Sequence, residues 1–160
     1  MKKVGLIMGS DSDLPVVEKA VEQLKKLEIP YEAHIYSAHR TPEETRAFAL
    51  KAEENGFGVL IAFAGKAAHL AGSIAAASIL PVIGVPVKSS TLDGLDALLS
   101  TVQMPSGIPV ATVAIDGAAN AAILAAQILA TEDGELRERL RNQRMEASKN
   151  VLKKDSELNI

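Results

Sequence analysis

The chain has no cysteine and no tryptophan, and aromatics make up only 3% of its 160 residues. The missing thiols exclude disulfides, thiolate nucleophiles and Cys-ligated metals, and they fit a reducing compartment. Three histidines with no His-x-x-x-His pair leave little from which to build a metal site, and none is expected. The scarcity of aromatics argues against a stacked flavin, and it requires a core built from Ala, Val, Ile and Leu. A net charge of −3 supplies no basic field for nucleic acid. No apolar run reaches the length of a membrane span. Lys2-Lys3 opens like a secretion signal, but the apolar run behind it stops at Met8, and Asp11 and Asp13 follow. A cytoplasmic protein is expected. Gly-x-Gly-x-x-Gly, Gly-Lys-Ser/Thr and Gly-x-Ser-x-Gly are also absent, so there is no dinucleotide fingerprint, phosphate loop or hydrolase elbow.

What is present is a regular alternation. Hydrophobic residues at 48% with 23% charged fit one globular domain over 1–160. Val4 to Met8 reads as a strand buried on both faces, and Gly9 gives a tight turn after it. Leu14-Pro15 opens a helix that Ser12 or Asp13 can cap, with Val16, Val17, Ala20, Val21, Leu24 and Leu27 at helical spacing. Tyr31 to Tyr36 is a second strand; its His34, alternating with Ala33 and Ile35, is expected to face solvent or an edge. Thr41-Pro42-Glu43-Glu44 starts a helix that runs to about Asn55-Gly56. Strands follow at Val59 to Phe63, Pro81 to Val85 and Val110 to Ile115. Helices follow to about Ile79, at Leu92 to Val102, and at Asn120 to Ala130. Such alternation implies a three-layer αβα fold, flavodoxin-like, with a parallel sheet in the order 2-1-3-4-5. Residues 1–130 form this core. Residues 131–160 form a charged C-terminal helical arm, with Leu136, Leu140 and Val151 as sparse apolar contacts, expected to lie on a neighbouring subunit.

That sheet order brings the loops after strands 1, 2 and 3 to one edge, where open α/β sheets bind ligands. The loops carry Ser10, Ser12 and Asp13; then Ser37, His39 and Arg40; then Gly65, Lys66 and His69. Serine hydroxyls and a helix start can hold a phosphate, and Arg40 offers a charge-assisted fork. Asp13 would repel phosphate and is better matched to sugar hydroxyls. His39 can exchange a proton near neutral pH. Beside these readings stand plainer ones: Ser12 and Asp13 as caps only, Lys66 as a surface lysine, His69 as a satisfied buried histidine. Residues alone leave open a non-catalytic flavodoxin-like nucleotide-binding module.

Met8-Gly9-Ser10-Asp11-Ser12-Asp13, Ser37-Ala38-His39-Arg40-Thr41-Pro42, Ala67-Ala68-His69-Leu70, Pro81-Val82-Ile83-Gly84-Val85-Pro86, Gln103-Met104-Pro105 and Asn120-Ala121-Ala122 occur in that order. In these motifs, over roughly residues 3 to 130, the chain closely resembles the class I N5-carboxyaminoimidazole ribonucleotide mutases of purine biosynthesis. It departs from the usual third loop, where Lys66 and Ala71 stand in place of a glycine and a proline, and the segment before Asn120 is shorter than in many relatives. The resemblance implies an isomerase that moves a carboxyl group from a ring-attached nitrogen to a carbon of the same aminoimidazole ribonucleotide, through CO2, without cofactor. It implies His39 as general acid and base, and Ser10, Asp13 and Arg40 as ribonucleotide ligands, with Asp13 on the ribose and Arg40 on the phosphate. Ser12 and Ser37 are then phosphate partners, and Gly65, Lys66 and His69 line the carboxylate and base pocket. It also implies a homo-octamer. Direct carboxylation of aminoimidazole ribonucleotide by CO2 is the neighbouring activity.

Overall fold

The computed structural model describes residues 1–159. β1 (Lys3–Met8) and β3 (Phe57–Ala64) lie side by side at the centre of a five-stranded sheet. β4 (Val82–Pro86) flanks β3, while β2 (Tyr31–Ile35) and β5 (Ala111–Thr112) form the edges. Every neighbouring pair is parallel, and the order is β2-β1-β3-β4-β5, as the alternation predicts.

The apolar residues of the central strands divide between two cores. Leu6, Met8, Ile61, Phe63 and Val85 face α1 (Leu14–Lys26) and the alanine-rich α5 (Ala118–Leu129). Ile7, Leu60, Ala62 and Val82 face α2 (Pro42–Lys51) and α3 (Leu70–Ala77). Small residues allow close approach: Ala118, Ala121, Ala122, Ala125 and Ala126 are buried along α5. At Gly84 an added Cβ would overlap the Thr101 methyl of α4 (Leu95–Val102), so glycine is what lets that helix lie on β4.

Several local readings are corrected. β5 is two residues rather than six: Ala111 and Thr112 pair with Ile83 and Gly84, Val113 adds one amide bond to the Gly84 carbonyl, and the chain then turns through Asp116 at a φ of 56°. α2 ends at Lys51, and irregular turns carry the chain to Gly56, whose φ is 82°. His34 does lie on the edge strand β2, as expected, but only half-exposed, stacked on Tyr36 with centroids 5.1 Å apart and tilted against Phe48. On this edge strand it is Ala33 and Ile35 that are exposed, because no helix covers their face.

α6 (Gly134–Ser156) is capped by Asp133, whose carboxylate accepts from the Leu136 amide at 2.9 Å. Its first turns dock on the same chain. Leu136 and Leu140 join the core beside α5, and Arg139 donates to the Leu27 carbonyl at 3.0 Å. Beyond them Met145, Val151 and Leu152 are exposed. No helix among the described residues is long and apolar enough to cross a membrane.

Candidate active site

The carboxyl ends of β1 to β4 border a cleft of about 600 Å³, a volume typical of small-molecule sites. β1 ends at Met8, and Gly9 and Ser10 lead into a 3₁₀ turn, Asp11–Asp13, before α1. That turn moves the capping role. Ser10 caps it, accepting from the Ser12 amide at 3.3 Å and from the Ser12 hydroxyl at 3.0 Å, while Asp13 makes no side-chain cap bond. Asp13 is instead buried at the cleft, 7% exposed. Burial pushes its carboxyl above the usual carboxylate range; backbone hydrogen bonds from Ser10 and Gly9 and the charge of Arg40 pull the other way without cancelling it. Gly9 does not adopt a left-handed conformation. An added Cβ there would meet only the Phe63 carbonyl, at 4.0 Å, so what the glycine leaves is open space over the turn.

The loop after β2 is braced by hydroxyls. Thr41 makes no cap bond to α2; its Oγ1 accepts from the Ser37 amide at 2.8 Å and lies 3.2 Å from the Ser37 carbonyl. Thr45 donates to the Thr41 carbonyl at 2.7 Å. Ser37 Oγ in turn accepts from the Arg40 amide at 3.2 Å. Arg40 reaches across to β1, where Nη2 donates to the Gly9 carbonyl at 2.8 Å, and its Nε donates to Ser37 Oγ at 3.5 Å, which leaves Nη1 available to an anion.

His39 Nε2 lies 2.9 Å from His69 Nδ1, with the rings edge to face. One of the two nitrogens carries the proton and the other the lone pair, so the pair holds a transferable hydrogen. His69 is exposed at the start of α3, which overturns its reading as a buried histidine. Gly65 and Lys66 line the cleft, His69 is not among its lining residues and meets it through His39, and Lys66 donates to Thr91 Oγ1 at 3.2 Å.

The sequence points to three loops, and the structure adds a fourth. Val87, Lys88 and Ser89, after β4, also line the cleft. Asp116 anchors this loop, accepting from the Lys88 amide at 2.9 Å and donating its own amide to the Pro86 carbonyl at 2.8 Å. The available signal was positional: Val87 to Thr91 follows a buried parallel strand on the same sheet edge as the other three loops. Among the described residues no group of three or more His, Asp or Glu side chains could hold a metal ion.

Residues 3–150 match the family model described as AIR carboxylase. The chain belongs to the AIR carboxylase family. Within it, the chain is 57% identical over 155 residues to the N5-carboxyaminoimidazole ribonucleotide mutase of Pyrococcus horikoshii, covering 97% of this chain and 88% of that one. It is 53% identical over 152 residues to the Escherichia coli K12 protein of the same name, covering 94% and 90%. The chloroplastic phosphoribosylaminoimidazole carboxylase of Vigna aconitifolia is 50% identical over 97% of this chain, which spans 28% of that protein. Among solved structures, Treponema denticola PurE superposes with a TM-score of 0.89 at 31% identity, covering 98% of each chain. Of the motifs that carried the resemblance, those after β1, β2 and β3 border the cleft of this AIR carboxylase fold, Pro81 to Pro86 and Asn120 to Ala122 fall on β4 and α5 behind it, and Gln103-Met104-Pro105 lies in the loop after α4, outside the cleft lining.

Proposed function

We propose that the chain is an N5-carboxyaminoimidazole ribonucleotide mutase of purine biosynthesis, an isomerase that transfers a carboxyl group within one ribonucleotide. The observation that carries this reading is the cleft that His39 lines together with Ser10, Ser12, Asp13, Ser37 and Arg40 from neighbouring loops. Ser10, Ser12, Ser37 and the free Nη1 of Arg40 bind the 5′ phosphate near the start of α1, where the helix-end field adds about 0.3–1 kcal/mol. Asp13, set beside them, accepts from the ribose hydroxyls. This places the aminoimidazole under the loops after β2 and β3, near His39, His69, Gly65 and Lys66.

The chemistry follows from the substrate. His39 protonates the carbamate nitrogen, and the N–C bond breaks to release CO2. The ring carbon C4, enamine-like in the free aminoimidazole, attacks the CO2 held beside it, with proximity in place of activation. His39 then removes the proton from that carbon, restoring aromaticity. One proton is lent and returned, so the reaction balances with no cofactor. General acid–base help of this kind is worth about 10²–10⁴-fold.

The carboxylase name of the Vigna relative supports a second reading, direct carboxylation of aminoimidazole ribonucleotide by CO2. Purified protein assayed side by side with the carboxyamino nucleotide and with aminoimidazole ribonucleotide plus bicarbonate separates them. Turnover of the first alone is expected; turnover of the second alone would replace the mutase reading, and turnover of neither would remove both.

The working unit is read as a homo-octamer in the cytoplasm. Exposed Leu92 just before α4, Leu95, Leu99 and Val102 along it, the uncovered Ala33 and Ile35 face of β2, and the outer turns of α6 support assembly. A core of small side chains gives each subunit reason to bury more surface. The absence of cysteine is compatible with a reducing compartment.

A further inference from the structure

The cleft carries more positive charge than one phosphate requires. Arg40 stands on its β2 side, fixed to the Gly9 carbonyl at the end of β1. Lys66 stands on the opposite side, after β3, with its ammonium held at 3.2 Å by the Thr91 hydroxyl in the loop after β4. The two cations are thus about two strand spacings apart, roughly 10 Å, the scale of a mononucleotide from its phosphate to the far edge of its base. The third cation of the cleft, Lys88, is paired with Asp93 at 3.2 Å. Lys66 has only a neutral hydroxyl as partner and forms no salt bridge among the described residues, and the acid of the cleft, Asp13, lies on the β1 side. A pre-aimed and uncompensated ammonium at the base end of the cleft suits a second anion.

We propose that Lys66 pairs with the carboxylate of the substrate and sets a preference for carboxylated over uncarboxylated ribonucleotides. The proposal rests on the mutase reading above. The carboxylate is present in the carbamate and in the C4-carboxylated product, and it is absent from aminoimidazole ribonucleotide. Between the two end states the carboxyl group is neutral CO2, so the ammonium binds ground states and does not lower the barrier between them. Loss of Lys66 therefore raises KM and kcat together and leaves kcat/KM nearly unchanged, a pattern that a merely structural role would not produce.

The test uses the full chain with His39→Asn, so that ligands are not consumed. Calorimetric Kd values are measured for 4-carboxy-5-aminoimidazole ribonucleotide and for 5-aminoimidazole ribonucleotide. Lys66→Met should weaken the first by roughly tenfold and the second by less than about twofold. Lys66→Arg should keep the ratio, and Lys88→Met should leave it unaltered. Thermal melts confirm folding, and Lys66→Gln replaces the methionine variant if that one melts early. An unchanged ratio without the Lys66 charge, or a ratio that collapses in Lys88→Met instead, would overturn the assignment while leaving the nucleotide site in place. Failure of the His39→Asn parent to bind either nucleotide would overturn the underlying reading as well.

Discussion

Gly84→Ala adds one methyl between β4 and α4, and the structure sets what it meets. The new Cβ would overlap Thr101 Cγ2, lie 3.0 Å from Val110 Cγ1 and lie 3.4 Å from the Ala71 Cβ. Thr101 cannot yield freely, because it is buried and its hydroxyl donates to the Ala97 carbonyl at 2.7 Å. Either α4 shifts outward or Thr101 leaves its rotamer. Overpacking of this kind costs about 1–3 kcal/mol. At about 2–4 °C per kcal/mol for a chain of this size, the midpoint should fall by roughly 2–12 °C. Thr101→Ser removes the offending methyl and keeps the hydroxyl. Alone it loses one buried methyl, about 1 kcal/mol; combined with Gly84→Ala it also removes the overlap. The double variant should therefore be more stable than the sum of the singles by at least about 1 kcal/mol. Circular-dichroism melts at one fixed protein concentration, with matched urea titrations, read both numbers. A Gly84→Ala midpoint within about 1 °C of the parent, or strictly additive variants, would refute the packing argument.

Four further outcomes are expected. His39→Asn should lower kcat by about 10²–10⁴ while nucleotide affinity holds; a near-normal rate in the mutase assay would remove His39 from the proton transfers. Arg40→Ala should weaken nucleotide binding by roughly 10–150-fold, the equivalent of losing about 1.5–3 kcal/mol of charged hydrogen bonding, and steady-state kinetics showing a pure rate loss would contradict the phosphate role. Asp13 has a raised folded-state pKa, so its protonated form is the better tolerated and its ionisation costs stability as pH rises from the unfolded carboxylate value through the folded one. Asp13→Asn should accordingly be more stable than the parent at neutral pH, with the gain shrinking as pH falls through that window, and should bind nucleotide more weakly; denaturant titrations showing no pH-dependent difference would contradict the burial argument. Leu99→Asp, on the exposed apolar stripe of α4, should reduce the mass seen by light scattering, and an unaltered mass would exclude that stripe from the assembly.

The sheet order was legible because β1, β3 and β4 are short apolar runs each followed by turn chemistry, a pattern that parallel burial imposes. The ends of elements were less so. Val110, Val113 and Ile115 look like strand residues, yet β5 has a sheet neighbour on one side only and the left-handed Asp116 ends it early. His34 sits at the sheet edge as expected, but alternation identifies two faces without saying which one a helix covers, and Phe48 of α2 partly covers the histidine's. The cap at Asp13 failed because an intervening 3₁₀ turn shifted the capping position to Ser10. In the site, residue types and loop positions were readable from sequence. The 2.9 Å meeting of His39 with His69 was not, since it depends on how two separate loops bend over the end of β1.

The hydroxyls of Ser37, Thr41 and Thr45 have a consequence for timing. They tie the turn bearing His39 and Arg40 to the first turn of α2 before any ligand arrives. The freedom of that turn is therefore given up once, when the chain folds, and not again at each encounter with a nucleotide. Thr41→Val, although it changes no residue lining the cleft, would hand that ordering back to the binding step and slow productive encounter more than it weakens the fold.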